Sequence, residues 1–393
     1  MSPDEYFRLI AISSVVVLLS SAAAYWLTRT FVPICVGLVH FLVQIVIFLN
    51  WGIVGRDAEF YHETALRIAE SFGKNEAAVV RLTDGKEGWP YLLGTLYHLA
   101  VPSPVIGLLL NSCFVAIAIS LVLAIAFAIS DQPPRQYYRS VAVAVVLFPS
   151  LWIWSVSLLK EPVFWVCVLS MVFAAIRIIS NGYSAAMFGL LVLGAFGGSF
   201  VRASVTYVLL AVCLAFLVVA RSQGDSAASR KRSGFVTVVA SAGLLAAAVP
   251  AISYFSGSKY LDDEALGATR DSLSSAGSGF SNTGLSDLPT VFLRVVFGPF
   301  PWELARMSPV YAIDWVVWIV VLVGAFLALP RWRKVFLIPV AAFFVLLSLA
   351  FVTANYGTLI RIRTVAGFIL LPLAVMGFAR IRKIKHGRTT SWQ

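Results

Sequence analysis

Apolar residues come in long blocks along this chain, separated by short polar connectors, without the alternation of a half-buried strand. A block of about 20 mostly apolar residues is long enough to cross the hydrocarbon core of a bilayer as an α-helix. The blocks read as spans are Leu9–Leu27, Phe31–Ile53, Val105–Ile129, Val141–Leu158, Pro162–Ile179, the short, glycine-rich Ala185–Ser199, Ser204–Ala220, Phe235–Tyr254, Ile313–Leu329, Val335–Val352 and Val365–Ala379. They predict an all-α polytopic membrane protein with about eleven transmembrane helices. The start, Met1-Ser2-Pro3-Asp4-Glu5, lacks the basic opening of a secretory signal, and a second apolar block follows Ala22–Ala24 at once. The first block therefore reads as a retained helix.

Two polar stretches are longer than connectors need to be. Residues 54–101 carry a helical pattern at Phe60, Ala65, Leu66, Ile68 and Ala69, and then Glu87-Gly88-Trp89-Pro90-Tyr91-Leu92, an aromatic turn suited to a membrane surface. Residues 255–312 begin with a Ser- and Gly-rich part, Ser272–Asn282, expected to be mobile until substrate binds. The later Val291–Phe297 is expected to form an amphipathic interfacial helix. The whole of 1–393 reads as one membrane domain with two large external loops carrying short interfacial helices. No internal repeat or matched pair of interrupted helices suggests a transporter built from inverted halves.

Composition agrees: 60% of residues are hydrophobic and 12% charged, against about half and a quarter in soluble domains. The net charge of +11 does not point to nucleic acid, because the basic residues gather in connectors and in the tail 380–393. Arg135 with Arg139, Arg230-Lys231-Arg232, Arg331 with Arg333-Lys334, and the tail Arg380, Arg382, Lys383, Lys385, Arg388 fall on one side when spans are counted. The positive-inside rule makes that side the cytoplasm. The tail residues also suit anionic lipid headgroups. The external side then holds 54–101, the Lys160-Glu161 turn, Arg202, 255–312 and the Tyr356–Arg363 turn. Cys35, Cys113, Cys167 and Cys213 lie inside apolar blocks without paired spacing and read as small core residues.

Charged residues on the external side resist the topological trend and become the candidates for chemistry. Asp57 and Glu59 stand at the mouth of a membrane helix. Either Asp57 caps a short helix with Glu59 in its first turn, or Asp57 is a general base with Glu59 as partner or metal ligand. His62 falls on the face of Glu59 and is either a base or metal ligand or simply hydrogen-bonded. Lys160-Glu161-Pro162 suits a helix start, with Lys160 neutralising Glu161, and it equally suits a polar cavity mouth behind Trp154, Ser155 and Ser157. Arg361 and Arg363 follow Asn355-Tyr356-Gly357-Thr358. They either snorkel to headgroups or recognise phosphate in bidentate fashion. No Gly-rich phosphate loop, metalloprotease signature or Gly-x-Ser-x-Gly elbow is present in the sequence.

Together these stretches resemble the GT-C superfamily of integral-membrane glycosyltransferases, which use sugars linked to polyprenyl phosphate or pyrophosphate. The resemblance is carried by Asp57 and Glu59 with Tyr61, by Gly88 to Tyr97 with Leu110-Asn111, by Pro149-Ser150 through Ser155–Glu161, and by Asn355–Thr358 with Arg361 and Arg363. The last of these is similar to the late arginine region of bacterial polysaccharide-assembly proteins. Two departures stand out: an extra helix before the acidic loop, and no large soluble C-terminal domain, which leaves acceptor recognition to the loops. The resemblance implies inverting sugar transfer at the outer face of a bacterial cytoplasmic membrane, with Asp57 as base. Arg361 and Arg363, with Arg202 or Lys160, would hold the departing lipid phosphate. Tyr61, Asn355 and Tyr356 would line the substrates, and Glu59 and His62 would orient the acceptor or, with Asp57, bind a divalent cation. The implied partners are a polyprenyl-linked sugar donor, membrane lipids and envelope-assembly proteins. A repeat-unit polymerase of extracellular polysaccharide and a flippase of lipid-linked glycans are the competing expectations.

Overall fold

The computed structural model describes residues 3–74, 87–130, 135–222, 288–304, 309–328, 336–352 and 356–385. The described residues form α-helices and turns, with no strand among them. In chain order the helices are α1 (Pro3–Thr28), α2 (Val32–Trp51), α3 (Arg56–Gly73), α4 (Gly88–Leu99), α5 (Pro104–Ala128), α6 (Arg135–Val146), α7 (Pro149–Ile153), α8 (Glu161–Asn181) and α9 (Ala185–Ser222). They continue as α10 (Leu288–Phe297), α11 (Pro301–Leu304), α12 (Pro309–Leu327), α13 (Leu337–Val352) and α14 (Tyr356–Lys385). Seven of the described helices are long and apolar enough to cross a membrane. The chain is a multi-pass, all-α membrane protein.

The difference from eleven blocks has local causes. The block Phe235–Tyr254 lies outside the described residues, as do the basic clusters at Arg230–Arg232 and Arg331–Lys334, the Ser272–Asn282 segment and Asn355. Val141–Leu158, read as one span, is instead α6, a break at Leu147-Phe148, the short α7, and a non-helical stretch up to Lys160. Proline at 149 cannot continue the preceding helix and starts a new one. Ala185–Ser199 and Ser204–Ala220 are two helices that meet at a kink at Arg202 (φ −153°, ψ 81°), counted together as α9. Helix α13 has 16 residues, about 24 Å at 1.5 Å per residue. Tyr356–Arg363, read as a turn, forms the first two turns of α14.

The chain divides into two compact units. The first comprises residues 1–124, 150–170 and 193–203. Its polar stretch folds as a hairpin of α3 and α4. The inward face of α3 is Ala58, Ala65 and Ile68, and α4 contributes Trp89, Leu93 and Tyr97 to the same core. Closest approach falls at Gly94, where a Cβ would stand 2.7 Å from that of Ile68. Only glycine permits it. Further along, Gly197 abuts Cys167 and the Val201 carbonyl accepts from Lys160, so the first half of α9 runs antiparallel to the start of α8.

The second unit comprises residues 125–149, 171–192 and 204–393. It is built around α14, which packs on α12, α13 and α6. Tyr137 of α6 donates to the Pro372 carbonyl of α14 at 3.0 Å. Val291–Phe297 is helical, as its pattern predicts, within α10, and α10 rests on α13 through Phe292 and Phe343.

Candidate functional site

Helix α2 ends at Trp51, and the chain turns through Gly52 and Gly55, both at positive φ. Gly55, not Asp57, is the N-cap of α3, at φ 98°, and no side chain caps this helix. The expectation that Asp57 itself serves as the cap is thereby corrected: Asp57 sits in the first turn with Glu59. Both carboxylates are exposed, where the positive end of the helix dipole favours them.

The non-helical stretch Trp154–Lys160 reaches this same end of the first unit. Ser157 donates its hydroxyl to the carbonyl of Val54 at 2.6 Å, three residues before Asp57. A shallow cleft lies alongside, lined by Gln44, Phe48, Val54, Pro104, Leu108 and Ser157 among others. Most of the stretch is buried, so its backbone carbonyls need partners. They find side chains from three helices: Gln44 of α2 donates to Ser155 O at 2.6 Å, Asn111 of α5 to Ser157 O at 2.6 Å, and the Trp89 indole of α4 to Leu158 O at 3.1 Å.

Immediately beyond come Lys160 and Glu161, both buried. Lys160 Nζ donates to Val201 O at 3.0 Å. Arg202 Nη2 meets Glu161 Oε1 at 2.9 Å, their side chains 15% and 2% exposed. The guanidinium also stands over the Phe164 ring at 5.9 Å. Burial at the N-terminus of α8 suits Glu161 through the dipole, yet its second oxygen, Oε2, is buried with no hydrogen-bond partner. Two cations and one carboxylate thus share one buried corner.

His40 and Gln44, one turn apart on α2, were passed over in the sequence, as was Ser112. His40 contacts Ser112 Oγ at 2.9 Å through Nδ1 and Ser155 Oγ at 2.6 Å through Nε2. Ser112 donates to Gln44 Oε1 at 2.6 Å. With the His40 proton on Nδ1, Ser112 accepts from His40 and donates to Gln44, while the Ser155 hydroxyl is shared between Nε2 of His40 and the Leu151 carbonyl. The missed signal was the i, i+4 pair of polar residues inside an apolar block, since polar groups in spanning helices carry a functional expectation by default.

His62 is held by α4, with its Nδ1 2.9 Å from Tyr97 Oη. Partial burial lowers its pKa from the ordinary imidazole value, opposed by the charge of Glu63, and burial raises that of Tyr97. Neutral imidazole accepting from neutral phenol is the arrangement both shifts favour. Among the described residues no three His, Cys, Asp or Glu side chains come together as a cation site. Asp57, Glu59 and His62 therefore do not assemble the metal site that their spacing allowed. Tyr61, half-buried, packs against the α3–α4 core.

In the second unit Arg363 is 1% exposed and faces Asp314, 3% exposed, at 3.5 Å. It also donates to the Gly298 carbonyl and stacks over Trp318 at 5.2 Å. Asp314 was missed in the sequence because its neighbours Ile313 and Trp315 kept the apolar block intact. Arg361, two residues earlier on α14, is half-buried. The structure therefore brings Lys160, Glu161 and Arg202 together, joins that corner to the segment leading into Asp57, and gives Arg363 a partner within its own unit. No family model, curated protein or solved structure matches the chain.

Proposed function

We propose that the chain is an integral-membrane glycosyltransferase that moves a sugar from a polyprenyl-(pyro)phosphate donor to a hydroxyl acceptor, with its site in the first unit. The observation that carries the proposal is the Ser157–Val54 hydrogen bond, which sets the start of α3 and the Lys160–Glu161 corner at one end of that unit. Asp57 removes the proton of the acceptor hydroxyl as its oxygen bonds to the anomeric carbon. The bond from that carbon to the lipid phosphate breaks, and Arg202 and Lys160 meet the charge that develops on the leaving oxygen. Glu161 holds Arg202 in place beforehand. Arg363 is held by Asp314 and Gly298 in the second unit, and the cations of the first unit beside Glu161 are Arg202 and Lys160. Helix α5 leaves the cleft at Pro104, and the basic Arg135 and Arg139 follow its far end in sequence. By the positive-inside rule the site then opens on the external face of a bacterial cytoplasmic membrane.

Asp57→Asn keeps size and hydrogen bonding but removes the proton acceptor. Transfer by purified protein should fall by about 10²–10⁴-fold with donor binding little changed. A fully active variant would reduce the Asp57 region to a helix start. A second reading, a flippase of lipid-linked glycans, is favoured by the His40–Gln44–Ser112 network inside spanning helices. Movement of a fluorescent lipid-linked glycan across vesicles, abolished by His40→Leu and untouched by Asp57→Asn, would select it.

A further inference from the structure

The stretch Trp154–Lys160 is the least regular backbone in the first unit's interior and also the one that leads into Lys160 and Glu161. A strand of carbonyls in an apolar surrounding costs free energy unless each is met. Here three carbonyls of the stretch are met by side chains from other helices: Ser155 O by Gln44, Ser157 O by Asn111 beside the backbone amide of Leu159, and Leu158 O by Trp89. The donors come from α2, α5 and α4, which also pack on one another, Gly37 of α2 against Ala116 of α5 and Trp89 of α4 against Phe114 of α5. Their reach is reinforced, because His40 and Gln44 both also engage Ser112 on α5, and His40 engages Ser155 itself. An ordinary connector between two helices would satisfy its carbonyls with water or its own amides.

We propose that Gln44, Asn111 and Trp89 are positioning residues, a side-chain clamp that fixes Ser155–Leu158 in the one conformation that presents Lys160 and Glu161 at the candidate site. His40 sets the clamp by holding Ser112 and Ser155 in register with Gln44. The inference deepens the transferase reading only where it concerns turnover; the clamp itself is a property of the fold.

The test uses the full chain in phospholipid nanodiscs, with Gln44→Leu and Asn111→Leu, each of which removes a donor while keeping an apolar side chain of similar size. Backbone amides from Val156 to Leu159 should exchange with deuterium about tenfold faster, the order that losing one buried hydrogen bond allows. Amides in the middle of α5 and α8 should keep their protection. Acylation of Lys160 by a sulfonated succinimidyl ester, read by peptide mass spectrometry, should rise several-fold. Gln44→His, which restores an N–H, should recover part of the protection. Unchanged exchange in the stretch would overturn the clamp, and so would an equal rise throughout α2, α5 and α8. If the leucine variants do not yield monodisperse protein, Trp89→Phe removes one N–H with little loss of volume and is read in the same way. Sugar transfer is a separate arm: turnover should fall by at least about tenfold in the loosened variants, since small misplacements of binding groups carry such factors. A loosened stretch in a protein whose wild type transfers no sugar leaves the clamp standing and removes the transferase reading.

Discussion

The two units each bury an arginine against a carboxylate, and the two pairs are finished to different degrees. Arg363 in the second unit is sealed: carboxylate, carbonyl and indole face all engage it, and its exposure is 1%. Arg202 in the first unit is 15% exposed, a second cation lies next in sequence to its partner, and one oxygen of Glu161 is buried without a hydrogen bond. A pair that is complete stabilises one arrangement of helices. A pair with spare capacity, set beside Lys160, can accept something further. The comparison teaches that a buried charge is informative chiefly through what its neighbours leave unsatisfied.

The largest effect should come from breaking the sealed pair. Asp314→Ala leaves the Arg363 charge buried without its carboxylate, a loss of about 3–5 kcal/mol, visible as a lowered midpoint in thermal unfolding in detergent. The double change Asp314→Leu with Arg363→Met should return most of that loss, because removing both charges removes the desolvation penalty. If Asp314→Ala unfolds at the wild-type temperature, the second unit's pair is not the sealed structural contact described above.

A smaller loss of stability is expected from Glu161→Gln, which keeps one hydrogen bond to Arg202 and loses only its charge. Stability should fall by about 1–2 kcal/mol, while donor binding, followed by calorimetry with a polyprenyl phosphate, should change at least about tenfold. Equal and purely thermal effects at Glu161 and Asp314 would erase the distinction between the two units.

The smallest effect concerns His62. Its pKa is lowered in the folded state by burial, so the unfolded chain binds the proton more readily below about pH 6.5. Stability from this group is therefore complete above that pH and is lost as pH falls through the lowered folded value. The loss should stay within one hydrogen bond, about 1 kcal/mol. Unfolding midpoints measured between pH 7 and 5 should slope less in His62→Gln than in the wild type. Parallel slopes would assign the dependence elsewhere.

Much of the fold was legible because crossing a membrane demands length and apolarity, and both are counted directly from residues. The α3 helix was legible too, from Phe60 to Ala69. What escaped were features that a hydropathy average conceals. Pro149 breaks the block Val141–Leu158 without lowering its apolarity, and Asp314 hides between Ile313 and Trp315. Gly55 took the cap because the chain leaving α2 needs a positive φ there, which outweighs the capping preference of Asp57. Of the candidate site, Lys160, Glu161 and Arg202 were each visible as charges lying apart from the basic connectors. That Gln44, Asn111 and Trp89 would converge on the stretch before them was not, since it depends on tertiary contacts across 111, 46 and 69 residues of sequence.

The clamped stretch also bears on how the protein is made. Long apolar helices can enter the bilayer one by one, but Trp154–Lys160 cannot face lipid with its carbonyls bare. The side chains that donate to its carbonyls, Gln44, Trp89 and Asn111, are all earlier in the chain than the stretch itself. During synthesis these partners leave the ribosome first, so the receiving surface can already stand in the membrane when the irregular segment arrives. Supplying α1 and α2 as a separate chain made after the rest would reverse that order, and would ask of the insertion machinery something the natural chain never does.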